Sequence, residues 1–253
     1  MDSPFEHASE ELLNAKPIGR RIFLGMLGVG AAGLAFTELG FRNDASGDGL
    51  PQAVPLGSMN IDQQESSVGQ HPNLVTSERF RYYSVGYMPD YDPKTWNLRL
   101  DGEGTRGKLV LTLDQLKAFP NVAIKATFRC VTGWRVRDCV WRGVRVRDVI
   151  DAVGQNGRAK FVTFYSGDGV YTDSLSISQA RSDDAILSWE LNGAPLIHEQ
   201  GMPLRLIYPD MYGYKNVKWV RRLEVKSGRD VGFWEQQGWD IDAFIGNPPS
   251  SSG

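Results

Sequence analysis

The sequence predicts an α+β domain of several small mixed sheets joined by short helices, and three observations carry that expectation. Short runs alternate polar and apolar residues with period two, as half-buried strands do. Between them lie helical patterns only one or two turns long, closed by Gly or Pro. No internal repeat is present, and the two Gly-x-Gly-x-x-Gly spacings, Gly28 to Gly33 in the N-terminal apolar run and Gly102 to Gly107 in a turn, do not open a helix directly after a strand, which argues against a dinucleotide-binding sheet.

The chain opens with a segment of a different kind. Gly19-Arg20-Arg21-Ile22-Phe23-Leu24 pairs two arginines with a weakly apolar run from Ile22 to Phe36. At about fifteen residues the run is short of the ~20 that cross a bilayer as a helix. A basic stretch followed by a short apolar stretch reads as an export signal, and the Arg-Arg pair as the twin-arginine type. Residues 1–42 are therefore expected to be a signal, either cleaved near Gly33-Leu34-Ala35 or kept as an anchor. Proteins exported folded in this way often carry a cofactor inserted beforehand. Residues 43–73, rich in Gly, Ser, Gln and Pro, read as a flexible linker. The folded domain is expected over 74–253.

Within it, Trp96–Leu100 alternates as a strand and turns at Asp101-Gly102. Thr112-Leu113-Asp114-Gln115 has capping-box spacing, and Pro120 ends the short helix behind it. Val122, Ile124, Ala126, Phe128 and Cys130 share one face of the next strand, whose end should aim the thiol inward. Val146, Val149, Ile150 and Val153 fall at i, i+3, i+4 and i+7 before Gly154, a helix. Lys160–Tyr165 is a strand, and Ile186–Leu191 runs into the hairpin turn Asn192-Gly193. Pro203–Tyr208 and Trp219–Val225 complete the set.

Composition narrows the chemistry. A net charge of −2 gives no electrostatic case for a nucleic-acid partner. Two cysteines, Cys130 and Cys139, exclude a disulfide framework or an iron–sulfur cage. Three scattered histidines argue against a histidine-built metal site. A metal here would have to be held largely by something other than side chains.

A cysteine at a strand end is more often a small core residue than a ligand. Cys130, however, stands among Arg129, Arg135 and Arg137, which would favour thiolate, and Val131-Thr132-Gly133-Trp134 after it reads as a loop. A second constellation runs from Leu191-Asn192-Gly193-Ala194-Pro195-Leu196 through Gln200-Gly201-Met202-Pro203-Leu204-Arg205 to Tyr212-Gly213-Tyr214-Lys215-Asn216-Val217-Lys218-Trp219. By composition alone its cations would be a solvated face. Arginine's rigid fork nevertheless suits a phosphate, and a Gly-bearing loop with two lysines can add charge and N–H donors.

Together these stretches, with Trp141–Ile150, resemble the sulfite oxidase family over about Tyr82 to Phe244, especially its bacterial, haem-free members such as methionine sulfoxide reductase catalytic subunits. The resemblance implies a sulfite-oxidase-type fold around one molybdopterin, with the Cys130 thiolate on molybdenum and Trp134 four residues later as in the bacterial reductases. It assigns Gln200, Arg205, Lys215, Asn216, Val217 and Lys218 to the cofactor, and more weakly Tyr83, Ser84 and Ser166. His198 is expected to be a surface residue without a role.

Against the animal and plant sulfite oxidases, Tyr83 stands at the first arginine of the oxyanion pocket, Trp239 at the metal-facing tyrosine and Gln200 at a cofactor-side histidine. Arg135 is expected to keep one positive charge near the metal. Such a pocket fits a dianion poorly and a neutral, partly apolar molecule better. S- or N-oxide reduction at molybdenum is thus favoured over sulfite oxidation, with a non-catalytic domain of the same fold as the remaining alternative. The resemblance includes no dimerising domain and no haem-binding stretch after Gly246. It therefore implies a monomeric catalytic unit, on the extracytoplasmic face, that exchanges electrons with a separate protein such as a haem-containing membrane subunit.

Overall fold

The computed structural model describes residues 79–246, so the expected export signal and linker, with residues 74–78 and 247–253 of the expected domain, lie outside the described residues. Ten strands form two sheets. The first has the order β2-β1-β10-β5-β6: β1 (Asn97–Asp101), β2 (Leu109–Thr112), β10 (Val220–Lys226), β5 (Phe161–Ser166) and β6 (Thr172–Ser176). Only β1 and β10 run parallel in it. The second sheet is antiparallel, β3 (Asn121–Arg129), β4 (Arg135–Arg145), β7 (Ile186–Leu191) and β8 (Ala194–Pro195), with β9 (Arg205–Ile207) also on β7.

The helices are short: α1 (Leu113–Lys117), α2 (Val146–Val153) and α3 (Ile177–Ala180). Thr112 caps α1 in a full capping box with Gln115, as its spacing predicts, and Gly154 closes α2. Asn192 and Gly193 both take positive φ, 48° and 80°, as the tight turn between β7 and β8 requires. None of the helices among the described residues is long and apolar enough to cross a membrane.

The main core joins Leu98, Leu100, Phe164 and Leu223 of the first sheet to Val144, Leu187 and Leu206 of the second. A smaller core gathers Phe80, Tyr82, Val136, Cys139, Trp141, Ile186 and Ile207. β7 alternates between the two, Ile186 into one and Leu187 and Trp189 into the other. Both its faces are therefore buried, which is why ILSWEL is almost continuously apolar. Of the candidate site residues, Trp134 packs against the smaller core and Val217 belongs to the main one.

Candidate functional site

Cys130 follows the last residue of β3 and opens the hairpin loop into β4. Its N–H donates to the Trp134 carbonyl (2.9 Å), and the Gly133 N–H donates to the Cys130 carbonyl (3.1 Å). This closed loop, with Gly133 at φ 98°, presents the thiol at the hairpin tip, half-buried, 3.2 Å from Thr132 Oγ1. Arg129 and Arg135 are register partners on either side of it. Cys139, by contrast, is fully enclosed in the smaller core.

Aromatic rings wall the tip. Trp134 stacks on Phe128 (centroids 5.7 Å), meets Phe80 edge-on (6.2 Å) and lies 6.3 Å from Tyr83. Tyr83 Oη and Trp134 Nε1 are buried with no hydrogen-bond partner. Unpaired donors of this kind cost about 1–3 kcal/mol each unless something else engages them.

Behind this wall lie two cations. Arg205, 4% exposed, sits between the rings of Phe128 and Trp141 (5.3 and 5.2 Å). Its Nη1 and Nη2 donate to the carbonyls of Gln200 (2.9 Å) and Asn216 (3.2 Å), while Nε has no partner. Burial pulls this guanidinium down to about 10. Lys218 Nζ donates to the carbonyls of Tyr83 (2.7 Å) and Glu199 (3.0 Å). Its burial, then repulsion from Arg205, brings the ammonium down to about 7 against the opposing pull of Asp168 and Glu199. Among the described residues neither cation has a carboxylate within ion-pairing distance.

Local backbone builds this pair. Gly201, at φ 101°, lies so close to Lys218 that a Cβ would stand 2.8 Å from the lysine's own. Asn216 Oδ1 accepts from the Tyr208 N–H (2.5 Å), and the Val217 carbonyl accepts from Leu206 (2.8 Å). Gln200 is buried, with Nε2 3.4 Å from Tyr82 Oη. Ser166, at the end of β5, accepts from the Asp168 N–H (3.3 Å), and the Ser84 hydroxyl donates to the Gly86 carbonyl (2.7 Å).

Lys215 departs from the expectation that it adds charge toward a phosphate. Its ammonium is 2.6 Å from both Asp173 and Glu235 and is consumed there. Val217 contributes backbone and a side chain to the main core. Trp239 reaches the hairpin through intermediaries: its ring is 6.1 Å from Tyr214, and the adjacent Gly213 packs on Phe128 and the Arg129 carbonyl. His198 is half-buried rather than on the surface, bonded to the Pro89 carbonyl (2.9 Å). Asp168, buried within the field of Lys218, escaped sequence reading because Ser-Gly-Asp-Gly reads as a turn.

A cavity of about 380 Å³ lies elsewhere, along Asp101, Arg106, Lys108 and Arg222. A small void of about 10 Å³ lies between Phe128, Trp141, Tyr208 and Asn216. That is room for one water at most.

A half-buried thiol at a hairpin tip and two cations without carboxylate partners among the described residues, on a two-sheet α+β frame, have the chemistry that an anionic cofactor would need. The comparisons agree. Residues 85–234 match the oxidoreductase molybdopterin-binding domain, and the chain belongs to that family. It is similar to the oxidoreductase YuiH of Bacillus subtilis, 33% identical over 74% of this chain and 92% of that one. It is 31% identical to YedZ1 of Azospira oryzae, named for a protein-methionine-sulfoxide reductase subunit, over 63% of this chain and 60% of that one. Against the mitochondrial sulfite oxidase of Rattus norvegicus identity is 29%, over 59% of this chain and 32% of that one. The sulfane dehydrogenase SoxCD of Paracoccus pantotrophus shares the fold, with a TM-score of 0.53 at 19% identity over 77% of this chain and 59% of that one.

The protein is thus a molybdopterin-dependent oxidoreductase with a sulfite-oxidase-type fold. Its residues fit that cofactor. A buried Arg205 with an orphaned Nε and a half-buried Lys218, neither paired with a carboxylate among the described residues, suit a pterin phosphate, and the half-buried thiol suits a soft metal.

Proposed function

We propose that this oxidoreductase reduces S- or N-oxides, with sulfite oxidation as its weaker activity. One observation carries the reading: the wall beside Cys130 is aromatic, formed by Tyr83, Phe128 and Trp134, with two buried, unengaged donors at Tyr83 Oη and Trp134 Nε1. A neutral oxide has one polarised oxygen and apolar arms. Such a wall would receive the arms, and its O–H and N–H would engage the oxygen.

In this reading Cys130 is the thiolate ligand to molybdenum, and Arg205 and Lys218 bind the pterin phosphate. Gln200, Asn216, Ser166 and the Tyr83-Ser84 turn line the rest of the cradle. Bound molybdenum supplies oxygen-atom and two-electron transfer. The chain positions it, excludes water and offers the donors named above. Trp239 would act on the wall from the C-terminal side through Tyr214, and Arg135 would keep one cation at the rim.

A separate protein would exchange electrons with the site, for which a haem-containing membrane subunit on the extracytoplasmic face is the partner that export implies. The catalytic unit itself would be monomeric. Sulfite oxidation is the second reading, favoured by Arg129 and Arg135 flanking the thiol.

The test is a side-by-side assay of the molybdenum-loaded protein, with sulfoxide plus an artificial electron donor against sulfite plus an artificial acceptor. Each charge-assisted hydrogen bond missing from a dianion pocket costs roughly 1.5–3 kcal/mol. Two missing bonds predict a kcat/KM for sulfite lower by about two to four powers of ten than a pocket with cation and phenol would give. A clear preference for sulfite would overturn the reading.

A further inference from the structure

A cluster of titratable groups lies outside the proposed chemistry. Lys215 Nζ lies 2.6 Å from Asp173 Oδ1, 2.6 Å from Glu235 Oε1 and 3.2 Å from the Ser174 carbonyl. All three charged side chains are 2% exposed or less. The second oxygens, Asp173 Oδ2 and Glu235 Oε2, are buried without a donor. The two carboxylates crowd one spot: a Cβ on Gly232 would stand 2.1 Å from Glu235 Oε2 and 2.8 Å from Asp173 Cγ.

Two carboxylates and one ammonium leave a net buried charge of −1, and isolated buried charge is among the most expensive things a fold can hold. One proton removes it. The proton also supplies the donor that the two orphaned oxygens lack.

We propose that Lys215, Asp173 and Glu235 are a latch holding one proton between the two carboxylates, which fastens the C-terminal aromatic segment to the cofactor cradle. Asp173 belongs to β6 at the edge of the first sheet. Lys215 ends the turn that leads directly into Asn216–Lys218. Glu235 stands between Trp234 and Trp239, the segment whose Trp239 faces Tyr214. These are positioning residues: the latch sets where Trp239 stands relative to the hairpin tip, whichever oxide or anion is the substrate.

Burial, then the neighbouring Glu235, pushes the Asp173 carboxyl well up against the pull of Lys215. Burial pulls Lys215 down, but the two acids outweigh it and hold the ammonium above its ordinary value. The other groups facing the cluster are Tyr171 and Tyr214, with Asp168 and Asp240 beyond them. Both phenols are raised above 10, first by burial, and stay neutral over the range that matters.

A carboxyl raised on folding binds a proton that the unfolded chain releases near pH 4. Stability is therefore full below that pH and falls as pH rises toward the raised value. The experiment measures proton uptake on folding, from the pH dependence of unfolding, in the full chain and in Glu235→Gln. The glutamine amide can accept from Lys215 and donate to Asp173, so it replaces the proton. Hydrogen exchange of amides 232–239 follows the latch itself.

The expected result is one proton fewer bound on folding by Glu235→Gln, with protection of 232–239 that no longer falls as pH rises. Glu235→Ala should lose that protection at every pH. Should Glu235→Gln fail to fold, Asp173→Asn makes the same comparison from the other carboxylate. Equal proton uptake in the full chain and the Gln or Asn variant would overturn the proposal. So would protection of 232–239 that is the same with and without the Glu235 side chain.

Discussion

A guanidinium taken out of water without an anion beside it costs several kcal/mol, and Arg205 is held in this way with Lys218 as a like-charged neighbour. The cost makes sense if a phosphate arrives to offset it. Lys218 then gives a measurable signature. Because burial and Arg205 hold its ammonium near 7, its charge is present below that pH and lost above it. Phosphate or pterin-phosphate binding to the cofactor-free protein should weaken by about tenfold or more as pH rises through 7, since one charge-assisted bond is lost. Lys218→Arg should flatten that profile in isothermal titration, because arginine keeps its proton. Cys130→Ala should remain folded and retain pterin but lose enzymatic activity, seen by comparing pterin fluorescence, metal content and turnover. Full activity in that variant would remove Cys130 from the metal. Family resemblance in the sequence singled out Cys130, Trp134, Arg205 and Lys218 as candidates because each group lies within one contiguous stretch. It could not separate Lys215 from Lys218, three residues on, because only the fold brings Asp173 and Glu235 to one of them.

The β3–β4 hairpin is the element that carries the thiol, and its register is held by close backbone packing further along. Gly143 on β4 meets β7 so tightly that a Cβ would stand 2.1 Å from the Leu187 carbonyl oxygen. Backbone cannot give way as a side-chain tip can. Gly143→Ala should therefore cost about 1–3 kcal/mol or more, as overpacking does. For a domain of this size that lowers Tm by roughly 2–4 °C per kcal/mol. An unchanged Tm by calorimetry would show that the sheet accommodates the methyl group. The two longer helices were legible because caps and periodicity are local signals. β4 was not, because Asp138 takes a positive φ of 55° and the ladder slips between Ala126 and Phe128, breaking the alternation. β6, Thr-Asp-Ser-Leu-Ser, reads as a turn, and only its place beside β5 makes it a strand.

At the scale of the whole molecule, the cradle's position bears on when it is filled. Arg205, 4% exposed, lies under the rings of Phe128 and Trp141. A molybdopterin cannot enter such a site unless β3, the 213–218 turn or the N-terminal Tyr83 strap moves aside. Buried surface and the Lys218 bonds to the Tyr83 and Glu199 carbonyls resist that opening once the fold is complete. Loading is therefore expected before or during folding, in the compartment where the cofactor is made. On the proposed export route the chain would then travel folded, as the twin-arginine reading of Arg20-Arg21 with its short apolar run predicts. Changing Arg20 and Arg21 together to Lys keeps the charge but removes the paired guanidinium forks. The double variant should accumulate in the cytoplasm, already loaded with molybdenum and pterin and active with artificial electron donors. Fractionation followed by metal analysis of each compartment measures both halves of the expectation. Export of the double variant at the normal level would rule out the twin-arginine route. Cytoplasmic protein that lacked cofactor would instead rule out loading before export, leaving the fold and the cradle as described.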